Sequence, residues 1–211
     1  SFVMTVTETE STLPSQQPLL KTTSSNSELA SGNWYKIAVK DRGIYKIDYN
    51  FLQSKLGINP STISTNNIRV YGNGGEIFSE NNTEEHPDDL TENAIIVEDW
   101  GDGIFNQGDY FLFYANGPLK WVKDSATKSF YHVQNIYNDS SYYFLNFDKG
   151  PGLRVATQNG SLTSNTTVSS YNNYASHDED LINVGRFGKL WWGEEFSTDP
   201  GKQTTQNFTF Q

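Results

Sequence analysis

Apolar and polar side chains alternate along residues 33–49, NWYKIAVKDRGIYKIDY, and this pattern constrains the fold more than any other feature of the chain. Alternate residues are apolar from Tyr35 to Val39, and the alternation resumes from Tyr45 to Tyr49. A period of two places one set of side chains on a single face of a β-strand. Because turn-forming residues at 41–43 separate the two runs, the stretch predicts a β-hairpin with one buried and one solvated face.

Aromatic residues are abundant throughout the chain and extend this β pattern to the whole sequence. The 211 residues include 13 Phe, 12 Tyr and 5 Trp. Aromatic side chains fit a pleated, half-buried surface better than they fit a helix. We therefore predict a mostly β fold, a sandwich or partly closed barrel with short helices, followed by the start of a second β domain.

Further strands are predicted from apolar runs along the chain. Three apolar runs each predict one strand, at residues 129–137, 141–147 and 153–157. Residues 92–99 and 109–115 are apolar at consecutive positions, which is typical of central strands covered on each side. The sheet that contains these last two runs is therefore predicted to be buried on both faces.

A glycine-rich segment at residues 66–78, NNIRVYGNGGEIF, has two interpretations. An Asn-Gly pair at Asn73 and Gly74 favours a tight turn between two strands. The glycines Gly72, Gly74 and Gly75 are also reminiscent of a phosphate-binding loop. Such a loop needs a helix N-terminus to supply N–H groups, and no helix pattern follows. We therefore predict a hairpin.

Two short helices are predicted from their cap signals. Two leucines spaced four apart, with Gly57 as a left-handed C-terminal cap, predict a helix at residues 48–56. Ser176 and Glu179 form a capping-box pattern, which predicts a second helix at residues 176–187.

The domain organisation follows from changes in composition along the chain. Residues 1–32 are rich in Ser and Thr and are predicted to be a strand or a flexible lead-in. Residues 33–170 are predicted to form a mostly β N-terminal domain, which ends in a polar, low-complexity segment. Residues 171–211 are predicted to hold the helix and the first strand of a following domain.

Charge and cysteine content exclude several classes of function. Asp and Glu number 25 against 15 Lys and Arg, a formal net charge of −10. Nucleic acids and anionic membrane surfaces are bound by clustered basic residues, so neither is an expected partner. The chain has no cysteine, which excludes a thiolate nucleophile or ligand within it. No apolar run approaches the ~18 residues that a membrane-spanning helix needs.

The acidic loop from Glu98 to Asp109 is the candidate metal site with the most recognisable ligand spacing in the sequence. Aligned on Gly103, an EF-hand-type loop would draw its oxygen ligands from Glu98, Asp102, Asn106 and Asp109. Trp100 falls where a further oxygen ligand belongs, and Asp109 is shorter than the bidentate Glu of such loops. We favour a glycine-rich connection in which the acids bond to local backbone, and we predict no metal or cofactor.

Catalytic constellations are not recognisable in the sequence. The histidines are far apart: His86, His132 and His177. Two pairs of acids are adjacent: Asp88-Asp89 and Glu194-Glu195. Neighbours in an extended chain face opposite ways, whereas glycosidic hydrolysis needs two carboxyls facing one bond. We therefore predict no catalytic residue in this chain.

Exposed tryptophans would support a different function, an independent surface binding module for glycans. Aromatic side chains can serve as platforms for sugars, and several tryptophans of this chain lie beside acidic loops. The tryptophans that motivate this alternative are Trp100, Trp121, Trp191 and Trp192.

Several segments, taken in order from Trp34 to Phe196, resemble a known family. They are NWYKIAVKDRGIYKIDYNFLQSKLGI, NNIRVYGNGGEIF, HPDDLTENAIIVED, DGIFNQGDYFLFYANGP, HDEDLINV and WWGEEF. Together they resemble the N-terminal region of gingipain-like cysteine peptidases that act as sortases in the bacterial type IX secretion system.

This resemblance implies a non-catalytic front end of a larger surface protein. The family's catalytic His and Cys belong to a later domain, and no residue here corresponds to them. The parent would be exported and associated with the outer membrane, where it would cut sorting signals from secreted cargo. The implied partners are the downstream peptidase domain of the same polypeptide, and secretion-system proteins or cargo.

Overall fold

A computed structural model of the protein describes most of residues 26–207. The described residues are 26–157 except 80, 82 and 85, together with 169, 177, 179–186, 188 and 190–207. They fall into two compact units, one containing residues 26–157 and the other the described residues from 169 onward.

The first unit is mostly β and is built from nine strands and one α-helix. Their bounds are β1 Trp34–Val39, β2 Gly43–Asp48, α1 Tyr49–Leu56, β3 Arg69–Tyr71, β4 Glu92–Asn93, β5 Ile95–Glu98, β6 Tyr110–Ala115, β7 Leu119–Lys123, β8 Phe130–Gln134 and β9 Ser141–Asn146. Single 3₁₀ turns lie at Glu28–Ala30, Pro60–Thr62 and Thr65–Asn67.

The strands form three antiparallel sheets, in the orders β1-β9-β3-β4, β2-β6-β5 and β7-β8. Within the described residues none of them closes into a barrel, so the mostly β, sandwich-like prediction is confirmed. The strand predicted at residues 153–157 is not formed: Arg154 makes only an isolated parallel bridge to Ile95 of β5.

The two larger sheets enclose one aromatic-rich core. Tyr143 on β9 packs against Phe113 on β6, with ring centroids 5.4 Å apart. Phe105 meets Phe111 edge-on at 6.1 Å. All four rings are essentially excluded from solvent. Because such rings each bury a large apolar area, they supply much of the contact between the sheets.

The predicted hairpin at residues 33–49 is wrong. β1 pairs with β9 and β2 pairs with β6, so the chain crosses from one sheet to the other between them. The Tyr45 hydroxyl donates to the carbonyl oxygen of Asp41 at 2.8 Å and helps to hold the crossing. Alternation indicates which face is buried, and both strands do bury side chains in the same core. It does not identify the partner strand.

The prediction that residues 92–99 and 109–115 are covered on both faces is also wrong. β6 is central in its sheet, yet only its Phe111, Phe113 and Ala115 face is buried. The opposite face is partly open, with Tyr114 exposed. The second sheet of the sandwich packs on one side only, so a continuous apolar run does not establish two-sided burial here.

The predicted Asn-Gly hairpin is replaced by an irregular segment. β3 pairs with β4 and β9, and residues 72–79 form no strand. The Asn73 side chain donates to the carbonyl oxygen of Asp89 at 2.8 Å and accepts from the Thr91 N–H at 2.9 Å. A Cβ atom at Gly75 would overlap the Ser141 hydroxyl, so glycine permits a close approach to β9.

Helix α1 confirms the first helix prediction. Asp48 accepts from the Phe51 N–H at 2.8 Å as N-cap, and Gly57 closes the helix at φ 68° and ψ 22°. Leu52 is fully buried against the core.

The second helix, predicted at residues 176–187, is not found in its described part. Ile182 instead exchanges two backbone hydrogen bonds of 2.8 Å with Trp192 in an antiparallel bridge. The capping residue Ser176 lies outside the described residues. An extended pairing with residues ten positions away outweighs the local cap signal, whose contribution is only about 1 kcal/mol. The predicted boundary near residue 170 stays a prediction.

Candidate functional site

A groove of about 620 Å³ runs along the start of β9. Its walls come from three stretches of the chain, and the lining residues are 73–78, 87, 89, 90, 135, 137, 138 and 140–142. We call it the β9 groove. The third wall is the connection that follows β8 and leads directly into β9.

Asparagine side chains shape two walls of the β9 groove. Asn135 donates from Nδ2 to the Gly75 carbonyl oxygen at 2.9 Å and accepts from the Tyr137 N–H at 3.0 Å. Asn138 accepts from the Ser140 N–H at 3.1 Å. These bonds fix the turns on either side of Tyr137, because Asn readily bonds backbone two residues ahead.

Ser141 forms part of the lining where β9 begins. Its residue is 1% exposed, and its Oγ has no hydrogen-bond partner within the part of the chain that the structure describes. A buried hydroxyl without a partner lowers stability because it has given up its bonds to water. Among the described residues of this region, Ser141 is therefore the buried side chain whose polar atom has no hydrogen-bond partner in the fold.

Two aromatic rings lie exposed at the rim of the groove. Phe78 is 58% exposed and meets His86 edge-on at 5.6 Å, and Tyr137 is 66% exposed. Both belong to loops held by the contacts described above. Large apolar rings left in solvent beside a concavity are typical of binding sites.

The carboxylates of the groove are already engaged. Glu76 forms an ion pair with Lys120. Asp89 accepts the N–H groups of Leu90 at 2.8 Å and Glu28 at 2.6 Å, and these bonds lower the pKa of Asp89 below its usual range. Asp89 therefore stays charged near neutral pH.

A second surface feature is the open face of the β2-β6-β5 sheet. Its outward side chains, paired by strand register, are Ile44, Tyr114, Leu112 and Ile96. Ile44 is 73% exposed, and only Leu112 among the four is half-buried. Lys46 lies on the same face with its Nζ 4.0 Å from the centre of the Tyr110 ring. We call this surface the open face.

The acidic loop adopts the backbone-bonding arrangement that the sequence favoured. Asp102 accepts from the Ile104 N–H at 2.9 Å, and Asp109 accepts from the Asn106 N–H at 2.6 Å. Asp99 accepts from the Thr65 hydroxyl at 2.6 Å, and this bond is the main reason that its pKa is lowered. Within the described residues, no three ligating side chains cluster in a way that could hold a metal ion.

The three histidines each contact a different residue. His86 contacts Phe78, His132 lies 5.6 Å from the Trp121 ring, and His177 pairs with Glu194. The His177 hydrogen bond is the largest cause of a lowered pKa at Glu194. The neighbouring Glu195 turns to a different partner, Lys202.

The tryptophans considered for glycan binding lie on separate elements. Trp100 is 82% exposed at the tip of the acidic loop, with a left-handed φ of 54°. Trp121 is on β7 beside His132. Trp191 and Trp192 belong to the other unit.

Sequence reasoning missed the residues of the β9 groove. Ser141 and Phe78 carry no local signal, since one begins a strand and the other follows a glycine-rich segment. One pattern could have predicted part of the groove. The closely spaced asparagines on either side of Tyr137 are typical of fixed turns, which would present the ring of Tyr137 at the surface.

Fold and surface together define the first unit as an antiparallel β-sandwich domain with an aromatic-rimmed groove and an open apolar sheet face. Neither a protein-family model nor a curated protein matches the chain. Among solved structures it is similar to dimeric latent PorU from Porphyromonas gingivalis, with 28% identity and a TM-score of 0.49. The match covers 70% of this chain and 12% of the PorU chain. In the described residues, no helix is long and apolar enough to cross a membrane.

Proposed function

We propose that this chain is the non-catalytic N-terminal accessory domain of a gingipain-like cysteine peptidase of the type IX secretion system. In this role it positions the peptidase domain that processes secreted cargo at the cell surface. The proposal rests on the ordered sequence resemblance from Trp34 to Phe196 and on one structural observation, the open face.

The open face has the composition of an interface. Ile44 and Tyr114 pair across β2 and β6, and Leu112 pairs with Ile96 across β6 and β5, so the apolar side chains are contiguous. Contiguous exposed apolar side chains on a sheet mark a contact surface. Their exposure is unfavourable in water, and covering them contributes roughly 25 cal/mol per Å² of apolar area.

Charged groups surround this apolar centre. Asp48 and Glu98 lie at one end of the same face, opposite one another across Tyr110, and Lys46 is beside Leu112. An apolar centre with a charged rim is the usual arrangement of an interface between domains. We propose that its occupant is the downstream peptidase domain of the same polypeptide.

The test introduces two charges into the open face of the complete parent protein. Ile44→Asp combined with Ile96→Asp is expected to slow removal of sorting signals from secreted cargo, because two carboxylates would oppose docking. Ile136→Asp, which changes an exposed isoleucine outside the face, is the matched control. Processing is followed in cells that carry only the variant gene.

Deletion of residues 34–170 removes the open face with the rest of the domain, and it tests the accessory role whichever surface carries it. Unchanged cargo processing after this deletion would overturn the proposed function. Normal processing by the doubly substituted protein, together with loss on deletion, would overturn only the assignment of the open face. The melting temperature of the isolated double variant separates lost docking from lost folding.

A further inference from the structure

We propose that Trp100 is an anchor residue for the downstream peptidase domain, and that its indole inserts into an apolar pocket of that domain with a basic rim. This inference rests on the proposed function and names a contact within it. The juxtaposition that carries it is an exposed indole at the centre of a tight turn, two residues beyond Glu98 at the end of the open face.

The turn at residues 99–102 holds Trp100 in a backbone conformation that favours other residue types. Trp100 has φ 54° and Gly101 has φ 89°, and the Asp102 N–H donates to the Asp99 carbonyl oxygen at 3.4 Å. Two successive residues with positive φ are the pattern of a type I′ turn. Such turns prefer Asn-Gly or Asp-Gly at their centre, because a bulky side chain is strained at positive φ. The turn therefore does not account for a tryptophan at this position.

The fold of this chain buries little of the Trp100 side chain. The residue is 82% exposed, more than any other large apolar residue in the described part of the chain. Tryptophan buries a large apolar area when it is covered, and it is enriched among the residues that contribute most to binding at interfaces. A strained and exposed tryptophan beside an apolar sheet face therefore has the properties of an anchor for a partner.

Hydrogen bonds fix the turn that presents this indole. Asp99 accepts from the Gly101 N–H at 3.0 Å and from the Thr65 hydroxyl at 2.6 Å. Asp102 accepts from the Ile104 N–H at 2.9 Å. Because these bonds already fix the turn in the free chain, docking requires less ordering than it would for a mobile loop.

The charges near Trp100 define the chemistry of the pocket that would receive it. Residues 98–109 include four carboxylates and no Lys, Arg or His. Glu98 is exposed, and Asp48 lies across Tyr110 from it at the same end of the open face. Basic groups on the partner complement these carboxylates, whereas acidic groups would be repelled. The pocket therefore has an apolar interior for the indole and a basic rim.

Hydroxyl-radical footprinting of the complete parent protein and of the 211-residue chain tests the anchor directly. Mass spectrometry follows the oxidation of each aromatic side chain. Trp100 should be oxidised at least about 5-fold more slowly in the parent, because an anchor is excluded from solvent when it is bound. Equal oxidation rates of Trp100 in the two proteins would overturn the inference. Protection that varies with protein concentration would also overturn it, because the occupant would then be a second copy.

Tyr114 reports on the open face in the same experiment and separates this inference from the proposed function. Protection of Tyr114 without protection of Trp100 would overturn the anchor and leave docking of the open face intact. Loss of protection at both, together with unchanged cargo processing after deletion of residues 34–170, would overturn the proposed function as well.

Trp100→Asn distinguishes an anchor from a structural residue. Since Asn-Gly is preferred at the centre of this turn, the melting temperature of the 211-residue chain should be unchanged or higher. In the parent protein the substitution should slow cargo processing roughly 3- to 30-fold, the loss expected for an aromatic hot spot. Tyr137→Asn, at an exposed aromatic residue outside the open face, is the matched control. A lower melting temperature or normal processing in Trp100→Asn would contradict the anchor.

Glu98→Lys tests the basic rim. Reversing this charge should reduce the protection of Trp100 in the parent protein, because the lysine would face basic groups of the partner. Added salt should diminish the difference from wild type, since exposed charges are screened. Unchanged protection of Trp100 in Glu98→Lys would overturn the basic rim.

Discussion

At the scale of single residues, acidic side chains of the loop from Glu98 to Asp109 hold turns by accepting hydrogen bonds. Asp99 is the clearest case. Its carboxylate accepts from the Thr65 hydroxyl at 2.6 Å and from the Gly101 N–H at 3.0 Å. These bonds favour the charged form and lower the pKa of Asp99. The acidic loop is thereby joined to the 3₁₀ turn at Thr65–Asn67.

This arrangement predicts a pH-dependent contribution to stability. Because the folded-state pKa of Asp99 is depressed, its contribution is present above the unfolded value of about 3.9 and is lost as the pH falls through the lower folded value. Asp99→Asn should lower the Tm by roughly 2–4 °C at neutral pH, about 1 kcal/mol for a chain of this size. The difference from wild type should shrink below about pH 4. A difference in Tm that stays constant from neutral to acid pH would contradict this prediction.

At the scale of elements, helix α1 is an element whose position is determined by residues close to it in the sequence. Asp48 is the last residue of β2 and also the N-cap of α1, so one side chain ends a strand and begins a helix. The second predicted helix had an equally good cap signal in Ser176 and Glu179. Its described part pairs with Trp192 instead, which shows that a cap does not decide the element by itself.

The cap of α1 can be tested by substitution. Asp48→Ala should lower the free energy of unfolding by about 1 kcal/mol, because the Phe51 N–H loses its acceptor. Asp48→Asn keeps a capping oxygen and is the matched control, with little expected change. Urea denaturation of the two variants measures the difference. Equal destabilisation by both substitutions would indicate that charge, rather than the capping bond, is what matters at this position.

At the scale of the whole sandwich, Tyr143 joins the two sheets. Its ring packs on Phe113 in the opposite sheet, and its hydroxyl accepts from the Asn116 N–H at 2.8 Å, just after β6. Burial raises the pKa of the Tyr143 phenol, so the hydroxyl stays protonated well above neutral pH. Gly72 packs directly against this ring, which extends the same contact to the segment after β3.

Removing the Tyr143 hydroxyl should therefore weaken the sandwich as a unit. Tyr143→Phe leaves the Asn116 N–H without this acceptor and should cost about 1–3 kcal/mol of unfolding free energy. Tyr142→Phe is the control, because that half-buried ring contacts Lys36 through its face and should change stability by less than about 0.5 kcal/mol. Thermal unfolding compares the two, and similar Tm values for both variants would contradict the cross-sheet role.

Sequence patterns predicted most strands and one of the two helices because those depend on nearest neighbours. Alternation indicated that Ile37 and Ile47 are buried, and the cap residues Asp48 and Gly57 located α1. The same patterns did not predict which strands pair with one another. The hairpins predicted at residues 33–49 and 66–78 became crossings and irregular connections, since pairing depends on which distant strand completes the core.

The sequence alone determined that this chain is acidic, lacks thiol chemistry and builds β-structure from aromatic side chains, because composition and period are properties of the chain itself. Only the tertiary structure decided that Ser141 is buried without a partner and that Phe78 and Tyr137 share one groove. It also decided that one sheet keeps an open face. These features arise where segments distant in sequence meet, and local periodicity carries no information about such meetings.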